Sequence, residues 1–176
     1  VEKAATKGPR PLLRCLPVRK RAYMARNRTS KPPRYPRRVT LPLTGGCMCG
    51  GVRYEVSAPP EYAGYCHCTR CQRRSGGAAS VSARLRPGSF AISQGAELIG
   101  VYRPSDGFEK AYCSACGSAL FSRDPDDHDV IGVRMGTFDA DPGVRPSYHQ
   151  YVAYAAPWEP LPDDGLPRHP AARPSR

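Results

Sequence analysis

Long apolar runs and helical stripes are both missing from this sequence. Within residues 1–40 the longest apolar stretches are PLL and LPV, which are far too short for the core of a signal peptide or for a membrane span. No window of about eleven residues or more repeats its apolar side chains at helical spacing. We therefore expect a protein of the cytoplasm with no membrane anchor and no helical core.

Acidic residues are almost absent from the first 40 positions. This segment holds 13 Lys and Arg against the single acid Glu2, whereas residues 41–176 hold 14 basic and 14 acidic side chains. The net charge of +12 therefore belongs entirely to the N-terminal segment, and charge gives no reason to expect nucleic-acid binding by the remainder. Because the segment also has six prolines and no sustained apolar period, we predict a disordered basic arm over residues 1–40.

The rest of the chain is long enough for one folded domain of ordinary size. Its last stretch, LPDDGLPRHPAARPSR, is again rich in proline and has no apolar period. We predict that residues 41–160 form the folded domain and that residues 161–176 form a Pro-rich, irregular C-terminal tail.

The folded segment contains short stretches with the alternation of a β-strand. In GVRYEV (51–56) apolar and charged side chains alternate, and turn signals such as RPGS and DADPG separate the stretches. TRCQRRSGG (69–77) could form one helical turn. We predict strands at residues 51–56, 79–85, 89–93, 97–103, 108–113, 118–122, 129–135 and 149–155. The pattern predicts an all-β domain whose thin core needs additional stabilisation from its cysteines.

Seven of the eight cysteines fall into three clusters. We name them the first knuckle (Cys47 and Cys49), the triplet (Cys66, Cys68 and Cys71) and the second knuckle (Cys113 and Cys116). An odd clustered count, the close spacings and the lack of a secretory signal argue against disulfides. Spacings of two and three residues instead let thiolates from one tight turn converge on a tetrahedral zinc ion. Glycines beside both knuckles permit such turns.

The clusters divide most simply into a closed site and an open one. The two knuckles can combine into a four-sulfur zinc site that ties the start of the domain to its middle. The triplet then supplies only three ligands and leaves a zinc ion one exchangeable position, as in catalytic sites. Spacing alone also permits a mixed division, in which members of the triplet pair with a knuckle, and Cys15 in the arm is a further possible ligand.

Charged and aromatic side chains near the clusters are candidates for substrate contacts. Arg70, Arg73 and Arg74 closely follow the triplet and could bind the carboxylates of an anionic thiol. We expect His67 to lie behind the metal ligands, because side chains at 66 and 68 point to the opposite face of an extended segment. Further candidates are Arg53 near the first knuckle and, for a pocket wall, Tyr65, Phe108 and Tyr112.

Several segments taken together resemble one known family. GGCMCGGVRYEV, YCHCTRCQRRSGG, GFEKAYCSACGSALF, VIGVRMGTFD and HQYVAYAAPW, all within residues 43–158, are similar to the glutathione-dependent formaldehyde-activating enzymes. The resemblance implies an Mss4-like fold of packed antiparallel sheets with two zinc ions per chain. It implies that the knuckles hold a structural zinc and that Cys66, Cys68 and Cys71 hold a catalytic one. The implied reaction condenses glutathione with formaldehyde to S-hydroxymethylglutathione, and its reverse is classed as a carbon–sulfur lyase.

These observations lead to a main hypothesis and two alternatives. We expect a cytoplasmic zinc enzyme that joins a small thiol such as glutathione to a small aldehyde, with the thiol losing its proton at the open position of the triplet zinc. In the first alternative both zinc ions are structural and the basic arm binds an acidic partner or nucleic acid. In the second, the triplet is a metal or redox sensor.

Overall fold

A computed structural model describes residues 39–174 of the chain. The basic arm predicted for residues 1–40 lies almost entirely outside the described residues, and so does Cys15. Within residues 39–174 the structure has eleven strands, one α-helix and three short 3-10 helices. None of the helices in this range is long and apolar enough to cross a membrane.

Strands make up most of the regular structure. They are β1 (Leu43–Gly46), β2 (Arg53–Val56), β3 (Tyr62–Cys66), β4 (Ser80–Arg84), β5 (Phe90–Gln94), β6 (Ile99–Tyr102), β7 (Glu109–Cys113), β8 (Ala119–Arg123), β9 (Val130–Arg134), β10 (Pro146–Gln150) and β11 (Arg168–His169). The helix α1 (Thr69–Ser75) follows β3, and the 3-10 helices are Ala96–Leu98, Met135–Thr137 and Val152–Tyr154. A three-stranded sheet has the order β1-β2-β5, and an eight-stranded sheet has the order β11-β10-β3-β4-β9-β8-β7-β6.

The predicted strands agree with the structure over most of the domain. Seven of the eight predicted segments coincide with β2 and with β4 to β9, to within two residues at either end. The prediction for 149–155 is wrong beyond Gln150, because β10 begins at Pro146 and the chain then turns into the 3-10 helix Val152–Tyr154. The single predicted helical turn is a seven-residue helix, about two turns long.

β1 and β3 escaped prediction because glycines interrupt their alternation. A Cβ added at Gly45 in β1 would lie 2.3 Å from the ring of Tyr54, and one added at Gly64 in β3 would lie 2.2 Å from the ring of Tyr148. Each glycine therefore marks a place where an aromatic ring packs directly on the strand backbone. The residues that weaken the sequence signal are the ones that the packing requires.

The larger sheet is not wholly antiparallel, in contrast to the antiparallel sheets that the family resemblance implies. β10 pairs in parallel with both β3 and β11, while the other neighbours in this sheet are antiparallel. β11 lies in residues 161–176, which were predicted to form an irregular tail, so part of this segment extends the sheet. The domain is nonetheless mainly β with one short helix, as predicted.

The hydrophobic core joins the two sheets and runs up to the cysteines. The buried Tyr54 of β2 has its ring centroid 5.1 Å from that of Phe90, which in turn lies 4.9 Å from that of Phe121 in β8. Cys47 and Cys113 belong to the same buried cluster. Each knuckle is therefore anchored in the core by one of its two cysteines.

Candidate metal centres

Four cysteine sulfurs from two distant turns meet at one point. Cys47 and Cys49 lie in the connection between β1 and β2, Cys113 ends β7, and Cys116 lies in the connection to β8. Their sulfur atoms all lie within 4.8 Å of one another, with 3.4 Å between Cys47 and Cys49 and 3.9 Å between Cys49 and Cys113. Tetrahedral zinc with bonds of about 2.3 Å places its sulfurs about 3.8 Å apart, so this group fits a closed four-sulfur site.

Each knuckle closes on a glycine with positive φ. The N–H of Gly50 (φ 74°) donates to the carbonyl of Cys47 at 3.0 Å, and that of Gly117 (φ 77°) donates to the carbonyl of Cys113 at 2.8 Å. Residues other than glycine rarely adopt this backbone conformation. The glycines expected beside the knuckles thus form both turns.

Hydrogen bonds favour the thiolate form of two of the four sulfurs, those of Cys47 and Cys116. The N–H of Val52 donates to Sγ of Cys47 at 3.2 Å, and the hydroxyl of Ser118 lies 3.2 Å from Sγ of Cys116. The Ser118 hydrogen bond lowers the pKa of Cys116 to about 6. Sulfurs that accept such bonds are prepared to bind a metal ion, because thiolates and not thiols are the ligands.

The triplet gathers at the junction of β3 and α1. Cys66 ends β3, Cys68 is the N-cap residue of α1, and Cys71 lies in the first turn of the helix. Their sulfurs also lie within 4.8 Å of one another, and the N–H of Cys71 donates to Sγ of Cys68 at 3.4 Å in the manner of a helix cap. The strand end and the helix start therefore direct three sulfurs at one point.

The surroundings of the triplet favour a thiolate at Cys71. Hydrogen bonds from the thiols of Cys66 and then of Cys68 lower the pKa of Cys71, whereas the contacts with Cys68 and Cys71 raise the pKa of Cys66. The buried hydroxyl of Ser80 has no hydrogen-bond partner within residues 39–174, and its position beside the sulfur lowers the pKa of Cys71. A buried hydroxyl without a partner beside a sulfur fits a thiolate ligand, and hence a metal ion at the triplet.

The triplet offers three ligands and no more. Across the described residues no fourth His, Cys, Asp or Glu joins the group, and its three cysteines are only half-buried. His67 directs Nε2 of its ring to Nδ1 of His149 at 2.9 Å, away from the sulfurs. A metal ion held here would keep one position for an external ligand.

Sequence reasoning missed the two side chains that continue from His67. His149 follows it, and Nε2 of His149 lies 3.0 Å from Oδ2 of Asp164. Burial and the neighbouring His149 lower the pKa of His67, and the hydrogen bond to His149 lowers the pKa of Asp164. No local signal could have found this group, because His67 and His149 are 82 positions apart.

A cavity of about 400 Å³ reaches the triplet at Cys71. Its wall includes four basic side chains and two aromatic rings: Arg70, Arg73, Arg74, Lys110, Tyr102 and Tyr112. Of the aromatic residues predicted for a pocket wall, only Tyr112 lines this cavity; Tyr65 stacks on His149 instead, and Phe108 lies under Lys110. A second cavity, of about 420 Å³ beside Phe90 and Phe121, has no cysteine in its lining.

The three predicted arginines differ in what they are free to bind. Arg70 pairs with Asp106, with 2.5 Å between Nη2 and Oδ1. Arg74 donates to two main-chain carbonyls at 2.5 and 3.0 Å, so its guanidinium holds the domain together at this point. Arg73 is exposed and has no hydrogen-bond or ion-pair partner within the described part of the chain. Arg53, near the first knuckle, is bound to Asp139.

Lys110 is a cavity side chain that the cysteine clusters did not point to. It shares one face of β7 with Tyr112, while Glu109, Ala111 and Cys113 are buried on the other face. Burial, more than any neighbouring charge, lowers the pKa of Lys110. The alternation in EKAYC was the signal that could have placed it beside Tyr112.

Comparison with known proteins agrees with the motifs. The family model described as glutathione-dependent formaldehyde-activating enzyme matches residues 42–154. A curated protein of Halomonas elongata, whose name places it among these enzymes, is 30% identical over 105 residues, which cover 56% of this chain and 67% of that protein. The crystal structure of a Rhodobacter sphaeroides protein is similar at a TM-score of 0.44 and 24% identity, over 72% of this chain and 98% of that one. Since the family model spans more than half of the sequence, this chain belongs to the glutathione-dependent formaldehyde-activating enzyme family.

Proposed function

We propose that this protein is a zinc-dependent carbon–sulfur lyase that joins glutathione, or a similar small thiol, to formaldehyde and also catalyses the reverse reaction. The observation that carries the proposal is a group of three half-buried cysteines, without a fourth protein ligand in the described range, at the edge of a basic cavity. Family membership supports the choice of thiol and aldehyde. All seven described cysteines are free, which suits a reducing compartment and supports a cytoplasmic location.

The two metal groups would have different roles. The four cysteines of the knuckles would hold a structural zinc that joins the β1–β2 turn to the β7–β8 turn. A zinc ion held by Cys66, Cys68 and Cys71 would supply an open position that lowers the pKa of a thiol bound there. Ser80 would keep Cys71 in its thiolate form by donating its hydroxyl hydrogen bond.

The basic cavity would bind the remainder of the thiol substrate. Glutathione carries more carboxylates than ammonium groups at neutral pH, so it is an anion. Arg73 lines the cavity without a partner in the described residues, and Lys110 lies beside Tyr112 on the same wall. Charge-assisted hydrogen bonds from these two side chains would orient the substrate with its sulfur toward the triplet.

The reaction is balanced without any further reactant. The sulfur–carbon bond forms as the carbon–oxygen double bond of formaldehyde becomes a single bond, and the proton lost by the thiol is returned to the new hydroxyl oxygen. The chain therefore has to bind and orient two substrates and to favour the deprotonated thiol, and it needs no oxidant or reductant.

Exchange spectroscopy tests the proposal directly. Glutathione and formaldehyde form their adduct spontaneously, so NMR exchange measurements on the equilibrium mixture give the rate with and without the full-length, zinc-loaded protein. We expect acceleration by the wild type and none by Cys68→Ser, which retains only the four-sulfur site. A wild-type protein with zinc at both sites and no acceleration would contradict the proposed reaction.

A further inference from the structure

A chain of hydrogen bonds leads from the triplet to the C-terminal segment. His67, between Cys66 and Cys68, has its Nε2 2.9 Å from Nδ1 of His149. On the other side of that ring, Nε2 of His149 lies 3.0 Å from Oδ2 of Asp164. Both nitrogens of His149 are therefore bonded, one toward the triplet and one toward a carboxylate.

The two histidines of this hydrogen-bond series are buried, and only the aspartate at its end is open to solvent. His67 and His149 are 5% and 1% exposed, whereas the side chain of Asp164 is 31% exposed. The ring of Tyr65 stacks on His149 with 4.7 Å between centroids and 9° between planes. Because Tyr65 packs on its plane and both of its nitrogens are hydrogen-bonded, the His149 ring is held in a fixed orientation between Asp164 and His67.

The main-chain N–H and carbonyl of His67 are also hydrogen-bonded. The N–H of His67 donates to the carbonyl of Gln150 at 3.0 Å, and the side-chain amide of Gln72 donates to the carbonyl of His67 at 2.6 Å. With the imidazole bond, His67 is held at three points. This fixes the directions in which the side chains of Cys66 and Cys68 leave the chain.

The C-terminal segment in turn holds Asp164. The N–H of Leu166 donates to Oδ1 of Asp164 at 3.1 Å, which leaves Oδ2 for His149. The N–H of His149 donates to the carbonyl of Pro167 at 2.8 Å, next to the start of β11. The carboxylate is therefore placed by its own turn and by the pairing of β10 with β11.

This segment lies beyond residues 42–154, the part of the chain that matches the family. It is anchored further along by Arg173, whose guanidinium carbon lies 4.3 Å from the ring centroid of Tyr62 and 4.8 Å from that of Tyr148. A C-terminal segment outside the family match is thus packed against the domain and places the Asp164 carboxylate beside His149.

We propose that Asp164 is a positioning residue for the triplet: through His149 and His67 it keeps Cys66 and Cys68 directed at the bound metal ion. The inference rests on the proposed function, because it assumes a metal ion at the triplet. Groups hydrogen-bonded directly to metal ligands orient those ligands, and their loss typically costs roughly 10- to 100-fold in metal affinity; because Asp164 acts through two further residues, we expect an effect at the lower end of this range.

The test measures zinc release to a chromogenic chelator from the full-length protein loaded at both sites. Cys68→Ser, which keeps only the four-sulfur site, identifies the phase that belongs to the triplet. We expect Asp164→Ala to release the triplet zinc roughly tenfold faster or more, with the four-sulfur zinc unchanged. Asp164→Asn should restore slow release, because its amide oxygen accepts the same hydrogen bond. The matched control is Asp163→Ala, which removes an exposed neighbouring carboxylate and should behave as wild type.

Cobalt(II) substitution adds a readout that a general loss of stability would not change. After subtraction of the Cys68→Ser spectrum, the visible d–d bands of cobalt at the triplet should change in Asp164→Ala and return in Asp164→Asn. An unchanged spectrum, triplet release at the wild-type rate, or equal acceleration at both sites would overturn the inference. A wild type that binds only one metal ion per chain would instead overturn the proposed function, so the two failures are distinct.

Discussion

Among single residues, Arg73 and Lys110 differ from the other basic side chains of the cavity. Arg70 is paired with Asp106, and Arg74 is bound to main-chain carbonyls. Arg73 has no partner within residues 39–174, and the ammonium of Lys110 lies 5.7 Å from the ring centroid of Phe108 with no carboxylate beside it in that range. These two cations are the ones available to an anionic substrate.

Replacing either cation should weaken binding of the thiol with little effect on the chemical step. We expect Arg73→Ala and Lys110→Met each to raise the KM for glutathione about tenfold, equivalent to ~1.4 kcal/mol of binding, with kcat nearly unchanged. Steady-state rates at saturating formaldehyde measure both constants. Arg86→Ala removes an exposed arginine outside the cavity lining and should leave KM unchanged; an equal rise in that control would count against a specific carboxylate site.

Glu109 shows a different use of charge at the residue scale. Its side chain is 2% exposed, and it accepts hydrogen bonds from Nε of Arg123 at 2.5 Å and from Nε of Arg103. The Arg123 hydrogen bond holds the pKa of Glu109 below its usual value. A carboxylate whose pKa is lower in the folded state stabilises the fold above the pKa of the unfolded chain, and this stabilisation disappears as pH falls through the folded value.

The difference in free energy of unfolding between wild type and Glu109→Gln, here called the stability gap, should therefore depend on pH. We expect the wild type to be the more stable protein at pH 7, and the gap to narrow steadily below about pH 4.5, the ordinary pKa of the side chain. Urea unfolding of both proteins across this range measures the gap, and the difference between them cancels any common loss of zinc. The exposed Glu159→Gln should show no gap at any pH. A gap for Glu109→Gln that stays constant down to pH 3 would contradict the assignment.

The residue scale is also where prediction from sequence reached its limit. The cysteine groups could be predicted because each knuckle is local and its spacing reflects the geometry of zinc. The bond from His67 to His149 and the bonds of Arg74 to the β7 and β8 carbonyls are set by sheet pairing between distant segments. Such contacts leave no periodic trace in the sequence, so from the sequence alone Arg74 is as good a candidate for substrate contacts as Arg73.

At the scale of elements, the parallel pair β3–β10 positions the triplet. Cys66 is opposite Gln150 in this pair, and the pair continues through β10 to β11. The ring of Tyr148 lies over Gly64 of β3 and is itself covered by Arg173. Close packing at Gly64 therefore sets the distance between the strand that carries Cys66 and the strand that carries His149.

A side chain at Gly64 should disturb this pairing. We expect Gly64→Ala to lower the free energy of unfolding by ~1–3 kcal/mol, because its Cβ would lie 2.2 Å from the Tyr148 ring, and the ring is held in place. The penalty should be much smaller in a Tyr148→Ala background, so a double-mutant cycle in urea isolates the contact. At Gly77 a Cβ would meet nothing nearer than 3.8 Å, so Gly77→Ala should cost little. An equal penalty for Gly64→Ala in both backgrounds would contradict this account.

The strand predictions succeeded and failed for the same physical reason. β2 and β7 alternate buried and exposed side chains, and this alternation is visible in RYEV and EKAYC. β1 and β3 use glycine under aromatic rings, and β11 is only two residues long, so neither case alternates over enough residues to be detected. Pattern recognition finds strands by their side chains and misses those defined by backbone packing.

At the scale of the whole molecule, the four-sulfur site joins the two sheets. The first knuckle belongs to the connection within the smaller sheet, and the second to the β7–β8 connection of the larger one. The triplet, in contrast, spans only residues 66–71. Loss of a structural metal ion lowers the free energy of unfolding. The loss is larger where the ion crosslinks segments that are distant in sequence.

The two sites should therefore contribute unequally to stability. We expect Cys116→Ser to lower the free energy of unfolding by ~3 kcal/mol or more, roughly 10 °C in thermal midpoint, and Cys68→Ser to lower it by clearly less. Thermal unfolding followed by circular dichroism, with zinc content measured on the same samples, compares them. Equal losses in the two variants would show that the knuckles are not the main crosslink.

Cadmium-113 NMR of the full-length protein, loaded with cadmium in place of zinc, tests the central claim most directly, because the chemical shift reports how many sulfurs surround each ion. The account predicts two resonances, one at the position of a four-thiolate site and one at that of a site with three thiolates and one oxygen or nitrogen ligand. Glutathione should move only the second resonance toward the four-thiolate position, and S-methylglutathione, which has no free thiol, should leave it in place. Two four-thiolate resonances before any thiol is added, or a second resonance that glutathione does not move, would contradict the account.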